Sequence, residues 1–129
     1  AMLCIGETQQ EYELGVTDDV CALQLAKALE RVTAAEMANI VVAYKPVWAI
    51  GTGKTATAEQ AQEVHAFIRN LLADLFDADT AKAVRIQYGG SVKPDHAREL
   101  MSQADVDGAL VGGASLDVRN FSELIENSI

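Results

Sequence analysis

The sequence predicts a parallel α/β fold made of four consecutive βα units. Four short apolar runs carry that prediction: Met2 to Ile5, Ile40 to Tyr44, Val84 to Tyr88 and Gly108 to Val111. Each is followed by a glycine-rich or polar loop and then by apolar residues at helical spacing. Strands that alternate with helices imply a parallel sheet, because each right-handed crossover must return the chain to the same end of the sheet. Half of the 129 residues are apolar, enough to bury a core, and no linker or low-complexity segment divides the chain, so residues 1–129 are expected to form one domain.

The first run, Met2-Leu3-Cys4-Ile5, is apolar throughout, and Cys4 is expected to be buried in it. The helix after it is expected to start at Thr17 as N-cap, with Asp18 and Asp19 in the electropositive first turn and Cys21, Leu25, Ala28, Leu29 and Val32 facing inward. Thr57-Ala58-Glu59-Gln60 has the form of a capping box, opening a second helix whose inner face runs through Ala61, Val64, Ile68, Leu71, Leu72 and Leu75. Pro94 suits the first turn of a third helix carrying Ala97, Leu100 and Met101, and Phe121, Leu124 and Ile125 mark a fourth. Periodicity leaves two architectures open. A doubly wound sheet has helices on both faces, whereas a piece of an eight-stranded barrel has them on one.

A formal charge of −9 opposes binding to nucleic acid, which needs clustered Lys and Arg. It leaves room for one small phosphate held by backbone N–H groups. No apolar run reaches the ~20 residues of a membrane helix and no signal-like N-terminus is present, so a soluble cytoplasmic setting without membrane contact is expected. The two cysteines, Cys4 and Cys21, have no metal-ligand spacing and no adjacent base; both read as reduced packing residues.

Three glycine-bearing loops follow the last three strands: Ala49 to Thr55, Tyr88 to Ser91 and Val111 to Ser115. All belong at one end of the sheet, where glycines let successive N–H groups approach an anion. A single glycine pair is explained as well by a tight turn, but three such loops at the same end point to a shared anion site. Gly53-Lys54-Thr55 is not a nucleotide-binding P-loop, since Trp48 stands where that motif needs its first glycine. Nor is there a dinucleotide fingerprint, since Ala56 stands three residues after Gly53.

The run Ala43-Tyr44-Lys45-Pro46-Val47-Trp48-Ala49-Ile50-Gly51-Thr52-Gly53-Lys54 resembles the sixth strand and mobile lid of triosephosphate isomerase, apart from one residue. Cys4-Ile5-Gly6-Glu7-Thr8 resembles the end of that family's fifth strand, Tyr88-Gly89-Gly90-Ser91-Val92-Lys93-Pro94 its seventh loop, and Asp107 to Ser115 its eighth. Four motifs in order imply the C-terminal half of a (β/α)₈ barrel. The resemblance implies interconversion of dihydroxyacetone phosphate and glyceraldehyde 3-phosphate through an enediolate, with no cofactor and no metal. It assigns the substrate phosphate to Gly51, Ser91, Gly112 and Gly113, and latching of the lid to Glu7 and Trp48; the plainer accounts are a solvated carboxylate and a buried aromatic.

Two departures qualify the resemblance. A whole barrel takes ~250 residues. The family's first four strands, with its substrate-binding Asn and Lys and its electrophilic His, are therefore expected to lie outside this chain. His65 and His96 sit within helix patterns and read as packing or surface residues, not substitutes. Lys45 occupies the position of the catalytic Glu. An ordinary lysine, with a pKa of ~10.4, is protonated at neutral pH and cannot take a proton from carbon. It suits an anion-binding role, an ion pair or a tolerated change; a Schiff-base role would need a neutral amine. Normal isomerase activity is accordingly not expected of the chain alone. Its expected partners are phosphate or a triose phosphate, together with a second copy or a complementary N-terminal half that completes the barrel.

Overall fold

In the computed structural model, which describes residues 1–129, strands β1 (Met2–Ile5), β2 (Val41–Tyr44), β3 (Ile86–Tyr88) and β4 (Gly108–Ala109) form one parallel sheet in chain order. The register aligns Ile5 with Tyr44, Tyr44 with Tyr88 and Tyr88 with Ala109. The strands therefore end level, and all four following loops emerge on one edge.

Local chemistry explains most helix boundaries. Helix α2 (Thr17–Leu29) has its two acids in the first turn as expected, but its cap is Val16, without a side-chain bond, and Thr17 is already helical. Helix α3 (Ala58–Leu75) opens on the anticipated capping box: Gln60 N donates to Thr57 Oγ1 at 3.1 Å and Thr57 N to Gln60 Oε1 at 3.0 Å. Pro94 begins α5 (Pro94–Met101), and α6 (Val118–Asn127) closes the chain with Asp117 as cap. Two short helices add to the predicted set. Helix α1 (Gln9–Glu13) starts on its own box between Thr8 and Glu11, and α4 (Ala78–Ala83) on Asp77.

The two sheet faces choose between the competing architectures. Leu3, Ile5, Val42, Tyr44, Ile86 and Tyr88 point one way and pack with Cys21, Leu25, Ile68 and Leu72 of the helices in one core cluster. On the opposite face Met2 and Cys4 are exposed and Gln87 is half-buried, with only the small Ala43 between Cys4 and Gln87 fully covered, and none of the helix residues of the core cluster packs there. One covered face and one open face make this half of a (β/α)₈ barrel, not a doubly wound sheet. Cys4 is thus exposed, contrary to the expectation of burial, because the apolar run alternates and only its Leu3 and Ile5 side meets helices. Ala28, Leu75, Phe121 and Ile125, expected inward, are also exposed. Cys21 does pack inside; burial, reinforced by the charges of Glu7, Asp18 and Glu11, pushes its thiol up to about 12, leaving it unreactive.

His65 is fully buried on α3 between Tyr44 and Tyr88, with Nδ1 3.1 Å from the Asp105 carbonyl. Burial, only partly offset by that carbonyl, lowers its pKa from 6.5 to about 4. Between those values the unfolded chain binds the extra proton, so stability is complete above pH 6.5 and declines as pH falls toward 4. The expected loss between pH 7 and pH 5 is roughly 2 kcal/mol. Urea unfolding at the two pH values checks this, and His65→Leu, which removes the titrating group, should flatten the difference.

Candidate functional site

The aligned strand ends bring together residues that are far apart in sequence. Lys45, Ile50, Gly51, Gly89, Gly90, Ser91, Val92 and the stretch Val111 to Ala114 line one cavity of about 350 Å³. Lys45, Gly51, Ser91, Gly112 and Gly113, all singled out from the sequence, are among them. The cavity contains no Asp or Glu. The N–H groups of Gly51, Gly112 and Gly113 donate to no backbone carbonyl, so these donors are free for an anion. Gly51 and Gly53 have φ of +67° and +79°, left-handed backbone that a side chain would strain.

Lys45 follows β2 directly, its N–H donating to the Ile5 carbonyl at 2.7 Å. Two glycines shape its surroundings. A Cβ on Gly6 would collide with the Lys45 backbone carbonyl, and one on Gly89 with its Cγ, so Gly6 makes room for the Lys45 backbone and Gly89 for its stem. At the far end Nζ donates to the Gly89 carbonyl at 3.3 Å. None of the three ion pairs in the molecule involves it; they join Arg69 to Asp105 and Asp107, and Arg119 to Glu123.

Glu7, beyond β1, is completely buried, which overturns its plainer reading as a solvated carboxylate. Its Oε1 accepts hydrogen bonds from Trp48 Nε1 at 2.8 Å and Tyr44 OH at 3.0 Å. Trp48 lies in the 3₁₀ turn Val47–Ala49 at the root of the glycine loop, buried and stacked on Tyr12, ring centroids 4.2 Å apart. The loop's stem is therefore tied to the end of β1 by one carboxylate. Burial, then the neighbouring Glu7 charge, raises the Tyr44 phenol and keeps it a donor.

A family model for triosephosphate isomerase matches residues 1–128. The chain belongs to the triosephosphate isomerase family. Among curated relatives, the triosephosphate isomerase of Carboxydothermus hydrogenoformans is 55% identical over 128 residues, covering 99% of this chain and 51% of the relative. That of Chloroherpeton thalassium is 53% identical over 127 residues (98% and 50%), and that of Rhodopirellula baltica 54% over 125 (97% and 49%). The chain spans about half the length of the curated relatives it matches.

Against this family background, the structure adds residues that the motifs left unassigned. Tyr12 covers Trp48, Tyr44 completes the Glu7 pair, and Gly6 and Gly89 frame Lys45. The Thr8-to-Glu11 capping box was the one available signal for Tyr12, since it begins the helix that carries it. His96 is exposed on α5 and His65 sits in the core, so neither reaches the cavity lined by Lys45. A separate cavity of about 340 Å³ beside α3 and α5 is lined by Glu59, His96 and Glu99; its carboxylates make it the poorer anion site. No helix is long and apolar enough to cross a membrane.

Proposed function

We propose that this chain is the phosphate-holding half of a triosephosphate isomerase barrel and that, with Lys45 in the base position, it does not isomerise triose phosphates by itself. The observation that carries this reading is the single acid-free cavity shared by Lys45, Gly51, Ser91, Gly112 and Gly113. Unpaired N–H groups and one ammonium suit a phosphate dianion. The same cavity offers no carboxylate to remove a proton from carbon. Glu7 and Trp48 act in this reading as the latch that holds the root of the lid.

Inorganic phosphate is expected to bind with a dissociation constant on the order of 1 mM, about 4 kcal/mol, the scale of a few preorganised donors. Titration followed by amide NMR should move Gly51, Ser91, Gly112 and Gly113 together. Unmoved amides at several millimolar phosphate would refute the site.

A second reading, a self-associating half-barrel module, is favoured by the open sheet face, where Met2 is 44% exposed and Cys4 is also exposed, and by the unpaired outer edges of β1 and β4. Pairing about a twofold axis closes both edges at once. Sedimentation of the 129-residue chain should therefore show a dimer or higher oligomer at low micromolar concentration, and a cooperatively folded monomer would count against the module.

A further inference from the structure

We propose that a cavity lined by the head of α2, the first turns of α3 and the root of the glycine loop is a site for a small primary ammonium ion, with Glu7 as its anionic acceptor. The cavity measures about 280 Å³ and shares no residue with the one lined by Lys45, so the inference stands apart from the phosphate reading. Its chemistry is the reverse of that cavity's. Glu7, Asp18 and Glu63 line it, and no Lys, Arg or His does. An acidic lining alone is ordinary protein surface, but the buried carboxylate is not. Glu7 is fully buried, and its Oε1 takes the bonds from both Tyr44 OH and Trp48 Nε1. Its Oε2 is buried as well and accepts from no group of the chain. A donor that also carries positive charge would supply both the missing hydrogen bond and the missing compensation.

The rest of the lining selects the kind of cation. A divalent metal takes about six oxygen ligands. No group of three or more His, Cys, Asp and Glu side chains in the molecule is placed to hold one. Asp18 and Glu63 are exposed, so they add negative field to the cavity rather than a ligand set. A primary ammonium asks for less: one strong acceptor for its N–H donors, and apolar neighbours for the carbon chain behind them. Tyr12, Tyr44 and Trp48 line the same cavity and supply those neighbours. Aromatic faces also attract ammonium ions, a contribution that a hydrated metal ion would largely forgo.

Trp48 is the sole tryptophan, so its fluorescence and its indole N–H resonance report on this cavity directly. Propylammonium and 1-propanol are a matched pair of probes, alike in shape and different in charge; tetramethylammonium adds a cation without N–H donors, and magnesium an inorganic one, all at constant ionic strength. Propylammonium is expected to saturate with a dissociation constant on the order of 10 mM and to bind about tenfold more tightly than 1-propanol or tetramethylammonium. Glu7→Gln, which keeps a carbonyl oxygen for Trp48 but loses the charge, should weaken propylammonium about tenfold, and the exposed changes Asp18→Asn and Glu63→Gln roughly twofold each. No saturable response to propylammonium, or an equal one to 1-propanol, would overturn the site. Tighter binding of tetramethylammonium would overturn the role of Oε2, and displacement of propylammonium by equimolar magnesium would overturn the organic ligand in favour of a metal. An affinity that a folded Glu7→Gln leaves unchanged would likewise refute the assignment. If Glu7→Gln does not fold, the probe series on the unsubstituted chain and the two exposed variants decide the matter.

Discussion

Lys45→Glu in this chain is expected to leave isomerase turnover at background. The same substitution combined with an added N-terminal half-barrel from a family member is expected to raise turnover by at least ~10²–10⁴, the usual worth of a positioned general base. The substitution supplies a carboxylate at the end of β2, but a base is only part of the reaction. Proton removal beside a carbonyl needs something to polarise that carbonyl and hold the enediolate, and such electrostatic stabilisation is commonly the larger contribution. The acid-free cavity is lined by the glycines and Ser91 proposed to hold a phosphate, while both histidines are placed elsewhere. Coupled assays on the unsubstituted chain and on Lys45→Glu, each with and without the added half, separate the contributions, provided host isomerase is excluded. Strong recovery from the substitution alone would show that this half builds an electrophile of its own. Activity of the unsubstituted chain approaching the ordinary range of about 1–10³ s⁻¹ would refute the reading of Lys45 altogether.

Arg69→Met is expected to be among the most damaging single substitutions for stability, at about 3 kcal/mol, the lower end of the cost of removing one partner from a buried charge network. The guanidinium reaches Asp105 through Nε and Asp107 through Nη2, both at 2.6 Å, and Nη1 donates to the carbonyls of Ala81 at 2.8 Å and Val84 at 3.0 Å. Arg69 and Asp105 are about four-fifths covered and Asp107 about two-thirds, so solvent screens the pairs in part and the lower figure is the appropriate one. Asp107 also accepts from Ile86 N at 2.8 Å, and Gln62 brackets Asp105 with bonds at 2.6 and 2.9 Å. One side chain of α3 thus fastens α4, the start of β3 and the approach to β4. Its loss should lower the urea midpoint and, by loosening β4, weaken phosphate binding at Gly112 and Gly113. A stability change below about 1 kcal/mol would mean that the network is solvated enough to be dispensable.

Features that act over one or two helical turns are legible without knowing any neighbour. The Thr57 capping box, Pro94 at the head of α5 and the apolar spacing of Cys21, Leu25 and Leu29 are of this kind, and each stands in the fold where its short stretch of sequence places it. The strand–loop–helix alternation likewise compels a parallel sheet, and level strand ends then gather the glycine loops. Even the family resemblance located the cavity's residues, because its motifs lie immediately after the strands.

Which surfaces are covered and which charges are compensated follows instead from packing in three dimensions. Cys4 and Ile5 are neighbours in one apolar run, yet one is exposed and the other buried, since strand side chains alternate and helices cover a single face. Glu7 reads as a surface acid until Tyr44 and Trp48, 37 and 41 residues away, supply hydrogen bonds to its Oε1 in the interior, where Oε2 is buried without a partner. Lys45 is legible as a cation, but the close approach of its backbone to Gly6 and of its stem to Gly89, and its lack of any carboxylate partner, come from three strand ends meeting. Burial and charge compensation are sums over everything nearby in space, and residues 37 to 44 positions apart contribute to them with no periodic trace in the sequence.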